Sequence, residues 1–118
     1  MKKVILFAIV AIVVAYVAFT RTTGVEFTLK NVGAETLRSV IVEVRGKSYA
    51  LGDIRPETSK TVKVNPQGES DIKLRFANGP RLIIDCYIEN DYGGSIDANV
   101  TSQQVVAVKD ESTLPSLF

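Results

Sequence analysis

The first apolar feature of the chain is continuous, not periodic. Residues 4–19 carry no charge and no strongly polar side chain, and they lie between Lys2-Lys3 and Thr20-Arg21-Thr22-Thr23-Gly24. As a helix rising about 1.5 Å per residue this run spans roughly 24 Å, a little less than a hydrocarbon core of about 30 Å. The threonines and a snorkelling Arg21 extend it to about twenty residues. The pattern predicts an N-terminal transmembrane anchor over residues 1–23, with Val4, Leu6, Phe7, Ile9, Ile12, Val14, Tyr16 and Phe19 as its apolar body. A cleaved signal peptide shares the basic start and the apolar length. Processing requires small residues first and third before the cut. Tyr16 spoils a cut after Ala18, Thr20 adjoins the next one, and a cut after Ala15 falls inside the apolar run, so a retained anchor is the preferred reading. Lys2 and Lys3 set the amino terminus in the cytoplasm and the rest on the periplasmic or extracellular side.

Beyond Gly24 the period changes to two. Val25, Phe27 and Leu29 alternate with Glu26, Thr28 and Lys30; Val40, Val42 and Val44 alternate with Ile41, Glu43 and Arg45; Ile72, Leu74 and Phe76 alternate with Asp71, Lys73 and Arg75. Alternation of this kind predicts strands with one buried face. Shorter segments near residues 47–51, 61–64, 82–89, 96–100 and 105–108 complete seven or eight strands. Between them, Gly52-Asp53-Ile54-Arg55-Pro56-Glu57 reads as a polar crossing, Asn65-Pro66-Gln67-Gly68 and Asn90-Asp91-Tyr92-Gly93-Gly94 as turns, and Asn78-Gly79 as a tight hairpin turn that Pro80 widens. The predicted fold class is all-β: an antiparallel sandwich of immunoglobulin or fibronectin type over residues 24–109, preceded by the one helix and followed by a flexible tail over residues 110–118. A small open barrel is the alternative.

Charge and composition narrow the function classes. The chain carries 14 basic and 13 acidic residues. Lys2, Lys3 and Arg21 flank the anchor, so the exported part keeps 11 basic and 13 acidic residues, a net of −2. Nucleic acid is therefore not an expected partner, because binding it requires an excess of cations to displace counterions. There is no histidine, which removes the commonest general base and metal ligand. The single cysteine, Cys86, has no intramolecular disulfide partner. Alternation places it on the side of Leu82, Ile84 and Ile88, where it reads as a buried structural thiol and not a nucleophile.

Two further groups of residues invite a functional reading. Asp85, Glu89, Asp91 and Asp97, with Asn90 and Asn99, are oxygen ligands of the type that suits Ca²⁺. The spacing of an EF-hand is absent, and Asn, Asp and Gly are equally what tight turns select. Charge is also uneven: from Arg38 to Arg81 there are nine basic and five acidic residues, and from Leu82 onward one basic and six acidic. Such polarity suits docking on a charged partner, with Tyr49, Tyr92, Lys63, Lys73 and Arg75 as a candidate contact surface and Tyr87 beside them. Asn99-Val100-Thr101 fits a glycosylation sequon, which carries little meaning in a chain of bacterial character.

Asn31 with Val40-Ile41-Val42, then Leu51-Gly52-Asp53-Ile54-Arg55-Pro56-Glu57-Thr58-Ser59 and Val62-Lys63-Val64, resembles the strand, leucine-glycine, proline-turn, strand passage of bacterial immunoglobulin-like envelope domains. Short single-pass bacterial proteins share this layout. The resemblance runs from Val25 to Glu89 and departs at Pro56-Glu57, where such domains usually have Pro-Gly. It implies an envelope location and a fold, and carries no catalytic residue across. The expected function is a non-enzymatic interaction or structural module, without cofactor or small-molecule substrate, whose partners are the bilayer and another envelope or membrane protein. A pilin-like or adhesin subunit and a calcium-dependent module are the alternatives.

Overall fold

The computed structural model describes residues 24–114, and the apolar run assigned to the anchor lies outside them. No helix among the described residues is long and apolar enough to cross a membrane. Eight strands follow in order: β1 (Val25–Asn31), β2 (Leu37–Val44), β3 (Lys47–Ile54), β4 (Ser59–Val64), β5 (Ser70–Arg75), β6 (Leu82–Ile88), β7 (Gly93–Val100) and β8 (Val105–Thr113). They form two four-stranded sheets, ordered β4-β1-β7-β8 and β3-β2-β5-β6. The domain is an all-β sandwich. The facing residues of both sheets supply one core, with Phe27, Leu29, Leu37, Ile54, Ile72, Leu74, Ile84, Ile88 and Ile96 fully buried. Each such side chain contributes about 1.5–3 kcal/mol relative to remaining in water.

The alternation that predicts β1 is obeyed residue by residue, with Val25, Phe27 and Leu29 buried and Glu26 and Lys30 exposed. One pairing departs from the antiparallel expectation. β1 runs parallel to β7, with Phe27 opposite Ile96 and Leu29 opposite Ala98. Both strands start from the same end of the sandwich, and all of the β3-β2-β5-β6 sheet separates them in sequence, which supplies the long crossover that parallel neighbours require.

β2 contains a correction to strict alternation. Leu37 and Val40 are both fully buried although they are three residues apart, which a regular strand forbids. A bulge resolves the conflict: the register against β3 shifts between them, and Ser39 takes a left-handed φ of 53°. The Ser39 amide donates to Asp53 Oδ1 at 2.9 Å, and Gly52, opposite Val40, takes φ 75°. The stretch expected to be a polar crossing therefore begins as strand, since β3 continues through Gly52 and Asp53 to Ile54. The true crossing is the turn at residues 55–58, where Glu57 sits at φ 62° and Thr58 Oγ1 donates to the Arg55 carbonyl.

The hairpin of β5 and β6 forms as expected, with Leu74 opposite Leu82, but its loop is six residues long and not the two of a tight turn. Gly79 does not use a positive φ. Its value lies in close approach, since a Cβ there would stand 2.2 Å from Phe76 Cε2 and 2.3 Å from the Ser102 carbonyl oxygen. Asn78 accepts from the Arg38 amide and donates to the Thr36 carbonyl, tying this loop to the one between β1 and β2. At the C-terminal end, residues 110–113 belong to β8, where the sequence pattern implies a flexible tail from residue 110.

Asn31 is the one fully buried polar side chain among the described residues, and it is saturated. Its Nδ2 donates to the carbonyls of Glu35 at 2.7 Å and Ile54 at 2.9 Å, and its Oδ1 accepts from the Gly33 amide at 2.9 Å. Its backbone amide donates to Thr58 and its carbonyl accepts from Glu57. Replacing it by alanine strands two carbonyls and an amide. Asn31→Ala is expected to lower stability by about 2–4 kcal/mol with an unchanged denaturant slope. Urea unfolding of the full chain followed by circular dichroism measures this, and a loss below about 0.5 kcal/mol, the scale of an ordinary surface substitution, would remove Asn31 from its structural role.

Candidate interaction surface

The five residues proposed from sequence as one contact surface are distributed over four places. Tyr49 lies on the inner side of β3, half-buried against the core, with its hydroxyl accepting from the Asn65 amide at 3.0 Å. Tyr92 also packs partly against the core and meets Tyr87 edge to face, with ring centroids 6.3 Å apart. Lys63 belongs to β4, opposite Glu26, on the sheet that excludes β5. Lys73 and Arg75 do share the outer side of the β3-β2-β5-β6 sheet, opposite Glu43 and Ile41.

That outer side holds the most structured cluster of charge. Arg75 Nε lies 3.2 Å and Arg81 Nη2 3.9 Å from Glu43 Oε1. The oxygen is shielded from water and has ion-pair neighbours, yet no hydrogen bond reaches it with good geometry. Beside it a cleft of about 410 Å³ is lined by Glu43, Val44, Arg45, Glu69, Ser70, Asp71 and Lys73. Its walls carry three acidic and two basic side chains, so neither sign dominates strongly.

The calcium candidates are likewise dispersed. Asp85 is exposed on β6 and Asp97 on β7, in different sheets. Glu89 accepts a very short hydrogen bond from the Tyr87 hydroxyl, which also reaches Glu69 at 3.1 Å. Asp91, at φ 66° in the β6–β7 turn, donates its amide to Asn65 Oδ1 at 2.9 Å. No group of three or more metal-ligating carboxylates or thiols gathers among the described residues. The two carboxylates hold the Tyr87 proton in place and push its ionisation well above the ordinary phenol range.

What the alternation did not indicate is where exposed apolar side chains collect. Ile83 (54% exposed) and Tyr87 (52%) stand on β6, Val106 (54%) and Val108 (39%) on β8, and Leu114 (73%) just beyond it. Both strands are sheet edges on the same flank of the sandwich. β8 is peculiar: only Val105 and Ser112 in it are even half-buried. Val108 and Asp110 pair with the inward-facing Ala98 and Ile96, so they point toward the core side, but they remain exposed because β8 overhangs the flank. The available signal was the run Val105-Val106-Ala107-Val108, which is apolar without alternation.

Cys86 lies on this flank. The β5–β6 register shifts between Ser70 and Ile72, leaving three β6 residues where β5 has one, and Cys86 is the middle one. It is half-buried against the core. Burial, then the Asp110 carboxylate, pushes its thiol up to about 11. The neutral thiol is the form at pH 7, which makes it a poor nucleophile.

No family model matches this chain, and no curated protein and no solved structure matches it either.

The raised Cys86 ionisation has a definite sign for stability. An unfolded thiol ionises near its ordinary 9.0 and the folded one near 11, so the contribution is complete below about pH 9 and is lost as pH rises through 11. The wild-type chain is therefore expected to lose more stability than Cys86→Ala between pH 9 and 11. Parallel unfolding midpoints for the two chains over that interval would count against it. Alkylation of Cys86 by iodoacetamide should likewise accelerate with pH up to about 11.

Proposed function

We propose that this protein is a non-enzymatic interaction module, seated on the extracytoplasmic face of the cytoplasmic membrane by its N-terminal apolar segment and contacting another envelope or membrane protein. The observation that carries the reading is positional: β1 begins at Val25, immediately after the apolar run and its Thr20 to Thr23 extension. The chain enters at the end of the sandwich that carries the β2–β3, β4–β5 and β6–β7 turns. The other end, with the loops at residues 32–36, 55–58, 76–81 and 101–104, is turned away from the entry.

We read the sandwich as immunoglobulin- or fibronectin-like. Support comes from its two four-stranded sheets and from the chain's repeated crossing between them: β1 in one, β2 and β3 in the other, β4 back, β5 and β6 across again, β7 and β8 returning. A module of this kind recognises partners through loops and strand edges, and the exposed apolar residues lie on such edges.

The test is extraction of the full chain from membranes. Retention in the pellet through alkaline carbonate, an intact mass of 12.9 kDa for the untagged chain, and a stoichiometric protein partner after detergent affinity isolation are the expected results. A shorter mass ending the anchor, or a chain that always purifies alone, would overturn the corresponding half of the proposal.

A further inference from the structure

We infer that β8 is a self-recognition edge, which pairs antiparallel with β8 of a second copy about a two-fold axis through Asp110. The inference stands on β8 and does not rest on the membrane anchor. Four strands end the two sheets, and three of these edges are protected. β3 and β4 are stitched together by Lys60 Nζ donating to the Leu51 carbonyl at 2.7 Å. β6 is interrupted by its bulge at Cys86. β8 is the longest strand of the domain, regular from Ala107 to Thr113 and exposed along most of both faces; Asp110 Oδ1 accepts from the Ser112 amide at 2.9 Å, and a second strand must displace that contact to pair there. A long edge of this kind is a template for another strand.

The occupant is specified by the strand's own sequence. Reversed on itself with Asp110 at the centre, β8 places Lys109 opposite Glu111 of the second copy, twice, on the polar face. On the other face Val108 meets Ser112, and the exposed Val106, in the bulge against β7, and Leu114, just past the strand, flank this pair. Lys109 and Glu111 already attract within one chain at 3.3 Å, and the pairing extends that contact to both copies. Charges at an edge usually discourage pairing; here they match under reversal. The single adverse contact is Asp110 against Asp110. Centring on Lys109 instead sets Lys on Lys and Val108 on Asp110, and centring on Val108 sets Val106 on Asp110. Opposite charges directly across a strand pair stabilise it and like charges destabilise it. One strand per copy covers less than the roughly 1,200 Å² of a stable interface, so the pair is reversible and is best detected by trapping.

The experiment uses the full chain in detergent micelles with Cys86→Ser. Chains carrying Val108→Cys and chains carrying Ser112→Cys are mixed and oxidised mildly. Facing positions fall within the Cα separation of about 4.4–6.8 Å that a disulfide needs, whereas each position lies about 13 Å along the strand from its own copy. A disulfide-linked dimer is expected in the mixture and not in either chain alone. In the same mixture Lys109→Glu should lower the yield several-fold, Lys109→Glu with Glu111→Lys should restore it, and Asp110→Asn should raise it. Circular dichroism confirms that each variant keeps its strands. Equal cross-linking by either chain alone, no cross-link from folded chains, insensitivity to the charge reversals, or adducts with a different protein would each overturn the inference.

Discussion

Two crossing loops and the end of a strand meet at one buried amide, that of Asn31. β1 leaves one sheet there to begin β2 in the other, and β3 leaves the second sheet to begin β4 in the first. Chain reversals between layers strand backbone groups that no ladder can satisfy, and an unpaired buried carbonyl or amide costs about 1–3 kcal/mol. Asn31 has two amide donors and one carbonyl acceptor, which match the carbonyls of Glu35 and Ile54 and the amide of Gly33. No apolar residue fills that role, and Asp lacks the donors. The alignment of the two layers therefore depends on this side chain, and Asn78 repeats the device nearby for the loop at residues 76–81. Together they fix the end of the domain that faces away from the chain's entry.

The two flanks of the sandwich are consequently unequal. On one, the β3–β4 crossing is short and is held by Asn31, so the edges of the sheets are drawn together, and Lys60 closes them further along. On the other, β6 and β8 have no direct connection, and β7 lies between them in sequence. β8 overhangs there, and the thiol of Cys86 sits half-covered beneath it. Packing that is complete at one flank leaves apolar side chains exposed at the other, which is where a surface for recognition is available without sacrificing core.

The alternating faces of β1, β2, β5 and β7 were legible because each strand buries one face and wets the other, and that difference is written into every second residue. The rest depends on geometry the alternation does not encode. The Ser39 bulge is visible only once Leu37 and Val40 are known to be buried together. β8 beyond Val108 reads Lys-Asp-Glu-Ser-Thr, which has no apolar face because the strand has no buried face to supply. Asn78-Gly79 pointed to the right hairpin for a different reason: Gly79 is needed for the close approach of Phe76 and Ser102, and not for its φ. Pro56-Glu57 marked a turn, and Glu57 occupies the left-handed position that a glycine would take without strain. The contact surface was the least legible part. Tyr49 and Tyr92 look like contact residues in a list of aromatics, yet both serve the core, while Val106 and Val108 look like core and are exposed.

The proposed anchor and the proposed β8 pairing constrain each other. Antiparallel pairing about Asp110 inverts one domain relative to its partner, so the two copies of Gly24 emerge at opposite ends of the joined sheet. Asp110 lies only three residues above the end where Thr113 meets Gly93. At about 3.3 Å per residue the two entry ends are then roughly 20 Å apart along the strand direction. Domains standing upright on one bilayer cannot adopt this arrangement, because one of them would carry its anchor 20 Å above the surface, close to a full strand length. If both proposals hold, paired copies on a single membrane lay their strands along its surface. In that arrangement the pairing hides β8 and leaves the sandwich lying against the lipid headgroups. The two proposals are therefore one structural question: self-association through β8 fixes how a membrane-seated sandwich would have to lie.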